Sequence, residues 1–228
     1  MRKQPFFDVL YECNFPKQGI MDEKAWIPLL TRDNIKNAMV KDTEGFGIKK
    51  LGVDVAGGGR NLSVIVQRHT NIAKIVHRTH DPDTMTLAEE VITRKIQGSF
   101  NSSDIFIDSL GLGKGCYDIL NRTKETAGVW GVKMSEMPTT PQDQTRFINL
   151  RAELYWKARE WILQGGKLEE DEAWYQLSNI KYKVKLEGTK GKMRLMSKEE
   201  MLRNGIQSPD EADALVMTFR THDMARLD

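Results

Sequence analysis

Residues 50–78, KLGVDVAGGGRNLSVIVQRHTNIAKIVHR, decide the fold. Lys50 to Val55 reads as a strand, Leu62 to Arg68 as a second and Ile72 to Arg78 as a third, with a turn centred on Asn71, so the stretch is an antiparallel meander. Asp54 stands in the first strand among Leu51, Val53 and Val55, where a carboxylate is costly to bury unless it is paired or bound to a cation. A strand-end aspartate can also simply cap the turn that follows, here Gly57-Gly58-Gly59.

Downstream, strand and helix alternate. The pattern predicts a helix from Thr84 to Ile96 with Leu87, Val91 and Ile92 on one face, then the strand Ile105 to Asp108. Gly111-Leu112-Gly113 opens a helix to Arg122, and Val129 to Met134 is a further strand. A long helix is expected from Arg146 to Gln164, closed by Gly165-Gly166, and another from Asp171 to Ile180. A hairpin, Lys181 to Met196, a short helix from Lys198 to Asn204 and a helix opened by Ser208-Pro209 complete the chain. A meander followed by β-α-β crossovers predicts an α/β domain over residues 47–228, a mixed sheet with helices on both faces. Residues 1–46 hold Pro5, Pro16, Pro28, the Gly45-Phe46-Gly47 hinge and one expected helix, Thr31 to Val40. They read as a linker or docking arm. Phe6, Phe7, Tyr11, Phe15 and Trp26 are too many aromatics for a free tail, so the arm is expected to pack on the domain that follows or on a missing one.

At 39% hydrophobic and 29% charged residues the composition is that of a globular chain, and disorder is excluded. No run approaches the roughly 18 to 20 apolar residues of a membrane helix, and the first twenty residues lack a signal-peptide pattern. Cys13 and Cys116 are too few for a disulfide framework and fit a reducing compartment. His69, His77, His80 and His222 lack zinc-type spacing. A net charge of +2 announces no polyanionic partner, so any nucleic-acid surface must come from how charge is distributed.

Asp108 repeats the setting of Asp54: it ends the Ile105-Phe106-Ile107 strand and precedes a glycine-rich turn, Gly111 to Gly115. Two neighbouring parallel strands that end this way place both carboxylates on one edge of the sheet. No G-x-x-x-x-G-K-[ST] occurs, which excludes a Walker-type nucleotide site. In Ser208-Pro209-Asp210-Glu211-Ala212-Asp213-Ala214-Leu215, Asp210 and Asp213 share a helical face; acids also favour helix N-termini through the dipole alone. Taken together, carboxylates from two strand ends and one helix suit Mg²⁺ or Mn²⁺ held by oxygen ligands. Two such ions roughly 4 Å apart clamp the attacking and leaving oxygens of a phosphodiester.

The runs Leu51 to Gly59, Ile107-Asp108-Ser109-Leu110-Gly111-Leu112-Gly113 and Ser208 to Leu215, in that order and spacing, closely resemble the C-terminal nuclease domain of the large terminase subunit of tailed bacteriophages. The resemblance covers residues 48–221. It implies a ribonuclease H-like fold and a two-metal endonuclease that cuts concatemeric double-stranded DNA during genome packaging. It also implies a small terminase subunit and a portal as partners, and the cytoplasm of the infected host as the place of action. Asp54 and Asp108 take the places of the first two metal-binding acids. The third falls to Asp210 or Asp213, with Asp210 favoured by its place beside Pro209. The sequence departs from the family in Arg60-Asn61, where relatives often carry acids, and in having no motif for the packaging ATPase, whose domain is expected to be missing.

The hairpin carries Lys181, Lys183, Lys185, Lys190, Lys192 and Arg194 against the single acid Glu187 between residues 181 and 194. Alternation puts Lys181, Lys183 and Lys185 on one face and Tyr182, Val184 and Leu186 on the other, with a turn at Gly188 to Gly191. Such lysines also protect a plain edge ribbon from aggregation. Beside a metal nuclease site they are expected to contact DNA phosphates, and the family's auxiliary hairpin supports that. The competing readings are an actin-like or sugar-kinase-like ATPase, a junction resolvase or other ribonuclease H-like nuclease, and a non-catalytic DNA- or portal-docking module.

Overall fold

The computed structural model describes residue 22, residues 25–187 and residues 190–221, without the side chains of residues 186, 187 and 190. The expectations placed on Pro5, Phe6, Phe7, Tyr11, Cys13, Phe15, Pro16 and His222, and on the tip of the hairpin turn, lie outside the described residues.

In chain order the elements are β1 (Ile27–Pro28), α1 (Arg32–Met39), β2 (Lys50–Asp54), β3 (Ser63–Arg68), β4 (Ile72–Thr79), α2 (Thr84–Gly98), β5 (Ile105–Asp108), α3 (Gly113–Arg122) and β6 (Trp130–Val132). They continue with α4 (Pro141–Arg146), α5 (Leu150–Leu163), β7 (Lys167–Leu168), a 3₁₀ helix (Glu172–Asn179), β8 (Lys181–Glu187), β9 (Lys190–Leu195), α6 (Lys198–Arg203) and α7 (Asp210–Met217). Six strands form one sheet in the order β6-β5-β2-β3-β4-β7. The expected meander is present: β2, β3 and β4 are antiparallel in turn, while β5 lies parallel to β2 and β6 parallel to β5.

Alternation along the strands builds two apolar layers. Leu51, Val53, Ile65, Ile105 and Ile107 face α2 and α3. Val64, Val66 and Phe106 face the other way, into a larger core with α5 and α7. Helices therefore cover both faces. The same alternation fixes the acids, because Asp54 follows Gly52 and Asp108 follows Phe106 by two residues, on the α5 and α7 side.

The expected helix from Arg146 to Gln164 is interrupted. Phe147 is extended (φ −122°, ψ 146°) and bridges Met193, and Ile148 N–H donates to Met193 O at 3.0 Å, so a pairing with the hairpin displaces helix there. The helix restarts behind Asn149, whose side chain accepts the Ala152 N–H. The segment after Asp171 is 3₁₀ rather than α, which fits the buried residues Trp174, Leu177 and Ile180: three apart, they eclipse on one face at three residues per turn.

The described part of the arm packs into the larger core through Trp26, Leu29, Leu30, Ile35 and Ala38. Its β1 pairs with β8, making the hairpin a three-stranded ribbon. Among the described residues no helix is long and apolar enough to cross a membrane.

Candidate metal centre

Asp54 and Asp108 end parallel neighbours, one residue beyond the Val53–Ile107 pair. Helix α7 reaches them because β2 carries no side chain at Gly52: a Cβ there would stand 1.9 Å from Ala214 O. Pro209 precedes the helix, and its first turn presents Asp210 and Asp213, both buried. The intervening Glu211 is also buried and is tied to Arg78 at 2.9 Å and to Gln176, which fixes the rotation of the helix about its axis.

Two cavities open on this edge, of about 470 Å³ and about 320 Å³, and both are lined by Asp54, Asp108, Leu110 and Lys198. Asp213 lines only the larger, with Arg151, Asn149, Arg194 and Ser197. Asp210 lines only the smaller, with Asn61, Ser208 and the loop from Gly111 to Leu112. All four expected acids thus line one pair of adjoining cavities, with Asp210 and Asp213 on different sides.

Their surroundings differ. Burial pushes the Asp54 carboxyl well above the usual carboxylate range, and Asp213, Asp210 and Asp108 push the same way against Lys198. Burial also raises Asp108, against the Leu110 N–H that donates to it at 3.0 Å. Burial raises Asp210 as well, opposed by hydrogen bonds from Ser208 and from Leu62 N–H, the latter at 2.8 Å. For Asp213 burial works against ionisation, yet the charges of Lys198 and Arg151 and the hydrogen bond from Tyr155 O–H hold the carboxyl below its usual range.

Asp213 is held unevenly. Its Oδ1 accepts from Tyr155 O–H at 2.7 Å and lies 3.8 Å from Arg151 Nε. Its Oδ2 is buried and faces Lys198 Nζ at 2.7 Å, close enough for an ion pair but without well-formed hydrogen-bond geometry. The Lys198 side chain is 49% exposed and that of Arg151 only 11%, so the lysine is free to swing out and the arginine is not. Among the described residues no three His, Cys, Asp or Glu side chains already stand as a metal-holding set. The ammonium of Lys198 supplies the positive charge among the acids instead; against the partial desolvation of that ammonium, Asp213 and Asp54 raise its pKa above the usual lysine range.

Lys198, Arg151 and Tyr155 were not legible as site residues. Arg151 and Tyr155 are four apart on α5 and meet through space, with the guanidinium carbon 5.0 Å from the ring centroid. A sequence signal existed for the turn that carries Lys198, since Ser197 and Glu200 form a capping box, but nothing marks that lysine among the chain's 34 basic residues.

The hairpin alternates as expected. Lys183 faces Arg194 and Lys185 faces Lys192 across the strands, while Tyr182 turns inward against Trp156, with ring centroids 5.6 Å apart. The basic face is partly engaged. Lys181 pairs with Asp22 at 3.0 Å, and Lys183 and Arg194 lie 4.4 Å and 4.9 Å from the Trp26 ring centroid. Lys185 is exposed, and the Lys190 side chain is outside the described set.

No protein-family model and no curated protein matches the chain. Among solved structures, it is similar to the nuclease domain of the large terminase subunit gp2 of bacterial virus Sf6, at 17% identity and a TM-score of 0.68, over 86% of this chain and 100% of that one. A mutant of that domain with manganese and beta-thujaplicinol gives a TM-score of 0.69 at 18% identity and the same coverage. The large terminase nuclease of thermophilic phage G20c with bound cobalt gives 0.55 at 12% identity, over 82% of this chain and 94% of that one. Its meander, parallel crossovers and paired helix layers thus give this chain the ribonuclease H-like fold of phage large terminase nuclease domains.

Proposed function

We propose that this chain is a divalent-metal-dependent endonuclease for double-stranded DNA, of the kind that cuts concatemers during phage genome packaging. The observation that carries the proposal is the convergence of Asp54, Asp108 and Asp213 on one cavity, with Asp210 next to it. The likeness to nuclease domains with manganese or cobalt bound supports it.

The residues fit hard cations on two counts. The donors are all carboxylate oxygens, as Mg²⁺ and Mn²⁺ prefer. Asp213 also keeps one buried oxygen without a hydrogen bond, beside an exposed lysine able to leave. Asp54 and Asp108 would hold the ions. We favour Asp213 through Oδ2 as the third ligand, with Tyr155 and Arg151 fixing its other oxygen. Asp210, on the smaller cavity and bonded by Leu62 N–H, would serve the second ion. Two such ions, when bound, lower the pKa of an attacking water and neutralise charge on the phosphodiester. Lys198 offsets the repulsion among the acids in the metal-free protein and, with its exposed side chain, would give up its place beside Asp213 to an ion. The hairpin's Lys181, Lys183, Lys185, Lys190, Lys192 and Arg194 would contact phosphates without reading sequence. On this reading residues 47–228 are the nuclease domain and residues 1–46 the arm that joins it to a packaging ATPase.

The test is plasmid cleavage in Mn²⁺ or Mg²⁺ against the same reaction in excess EDTA. Cutting only with the ions is expected, with little sequence preference. Cutting that persists in EDTA, or none in either ion, would refute the proposal.

A further inference from the structure

Glu200 links two parts of the molecule that the chemistry described so far treats separately. Its Oε1 accepts from Arg194 Nη2, on the basic face of β9, at 2.5 Å. Its Oε2 accepts the Ser197 N–H at 2.8 Å, and Ser197 Oγ in turn accepts the Glu200 N–H at 3.1 Å. This capping box opens α6, whose first residue is Lys198, the residue whose ammonium sits beside Asp213. A six-residue helix cannot sustain itself, so the position of its first turn depends on its cap. Glu200 touches none of the four acids. It is a positioning residue.

Arg194 has a second claim on it. It lies opposite Lys183 on the ribbon and lines the larger cavity together with Asp54, Asp108, Asp213 and Lys198. A guanidinium prefers the bidentate oxygens of a phosphate, and an ion pair with one-quarter and one-third of its side chains exposed is a weak competitor. Resting on the nuclease reading above, we propose that the Arg194–Glu200 ion pair couples the hairpin to the acid centre. A DNA phosphate that takes Arg194 releases Glu200, slackens the capping box and lets Lys198 leave Asp213, so that DNA on the ribbon favours metal at the acids. By linkage, metal at the acids must favour DNA on the ribbon by the same factor.

The experiment measures Mn²⁺ binding by electron paramagnetic resonance of the free ion, with and without a slowly cut phosphorothioate duplex, corrected for Mn²⁺ held by the duplex alone. The wild-type chain is compared with Glu200→Gln, which keeps a side chain able to cap but removes the ion pair. Arg194→Gln cuts the same link from the other side and keeps the Glu200 carboxylate. Glu89→Gln, an exposed charge on α2 that lines neither cavity, is the control. The duplex should tighten Mn²⁺ binding in the wild type and in Glu89→Gln, and both link variants should lose about fivefold or more of that gain. Wild-type coupling retained in Glu200→Gln and Arg194→Gln, or a duplex with no effect on Mn²⁺ in the wild type, would overturn the link while leaving the nuclease reading in place if DNA is still cut. A chain that binds neither Mn²⁺ nor duplex would overturn both.

Discussion

At the acid edge the carboxylates are buried or half-buried and held by partners at close range, on strands and a helix pressed together without an intervening side chain. Along β8 and β9 the charges ride on the outer face of a ribbon whose inner face is seated on the core through Tyr182, Met193 and Leu195, and the described cations contact an arm residue, a tryptophan and one glutamate. The acid edge gains its geometry from packing in the sheet, so its residues have almost no alternative arrangement. The ribbon's cations have several competing partners, and their state depends on what else is bound. Fixed geometry suits groups that must meet a reacting phosphate within a fraction of an ångström; exchangeable partners suit groups that grip a backbone of any sequence.

The largest effect that would break this contrast comes from the strand-end acids. Asp54→Asn and Asp108→Asn are each expected to lower the cutting rate by about a thousandfold or more, since each removes several kcal/mol of charge stabilisation, while the fold persists. A plasmid-nicking assay beside a thermal melt checks both halves. The same pair sharpens the electrostatics. A carboxyl whose folded pKa is raised binds its proton more tightly in the native state, so its contribution to stability is full below the unfolded pKa and is lost as pH rises from there through the folded pKa. The metal-free protein should therefore lose stability between about pH 4 and the raised pKa of Asp54, and Asp54→Asn should flatten this dependence and raise the melting temperature at neutral pH. A variant that melts lower than the wild type at every pH would contradict that account.

Next in size is Gly52→Ala. The added methyl would meet the backbone of α7, which cannot turn aside as a side chain can, and a loss of about 3 kcal/mol is expected from the denaturant midpoint. A loss within about 0.5 kcal/mol would show that helix and strand are less tightly joined than the contact implies.

The smallest effect belongs to the ribbon. Lys185→Glu, at an exposed position, should lower the salt slope of DNA binding by about one and weaken affinity modestly without touching Mn²⁺ binding. Reversal of Lys183 and Lys192 as well should add to it. Affinity and slope that stay at wild-type values in the triple variant would mean that DNA runs elsewhere.

The same contrast explains what was legible in the sequence. The meander, the crossovers and the four acids are local signals, because strand alternation and the glycines after Asp54 and Asp108 are written within a few residues of the atoms they place. What was missed depends on distant partners. The break at Phe147 arises from pairing with Met193, the strand at Ile27 from pairing with Tyr182, and the place of Lys198 from a carboxylate fifteen residues later on another helix.

The missing side chain at Gly52 has a mechanical consequence. With Ala214 O lying over β2, α7 cannot slide or roll without lifting its own backbone off the sheet, and Arg78 and Gln176 hold Glu211 against rotation. Asp210 and Asp213 therefore move with the sheet as one body. The groups around the acids that are held by exposed or half-exposed ion pairs rather than by seating on β2 are Lys198, on the first turn of α6, and Arg194, on the ribbon, and these are the ones left able to change partners.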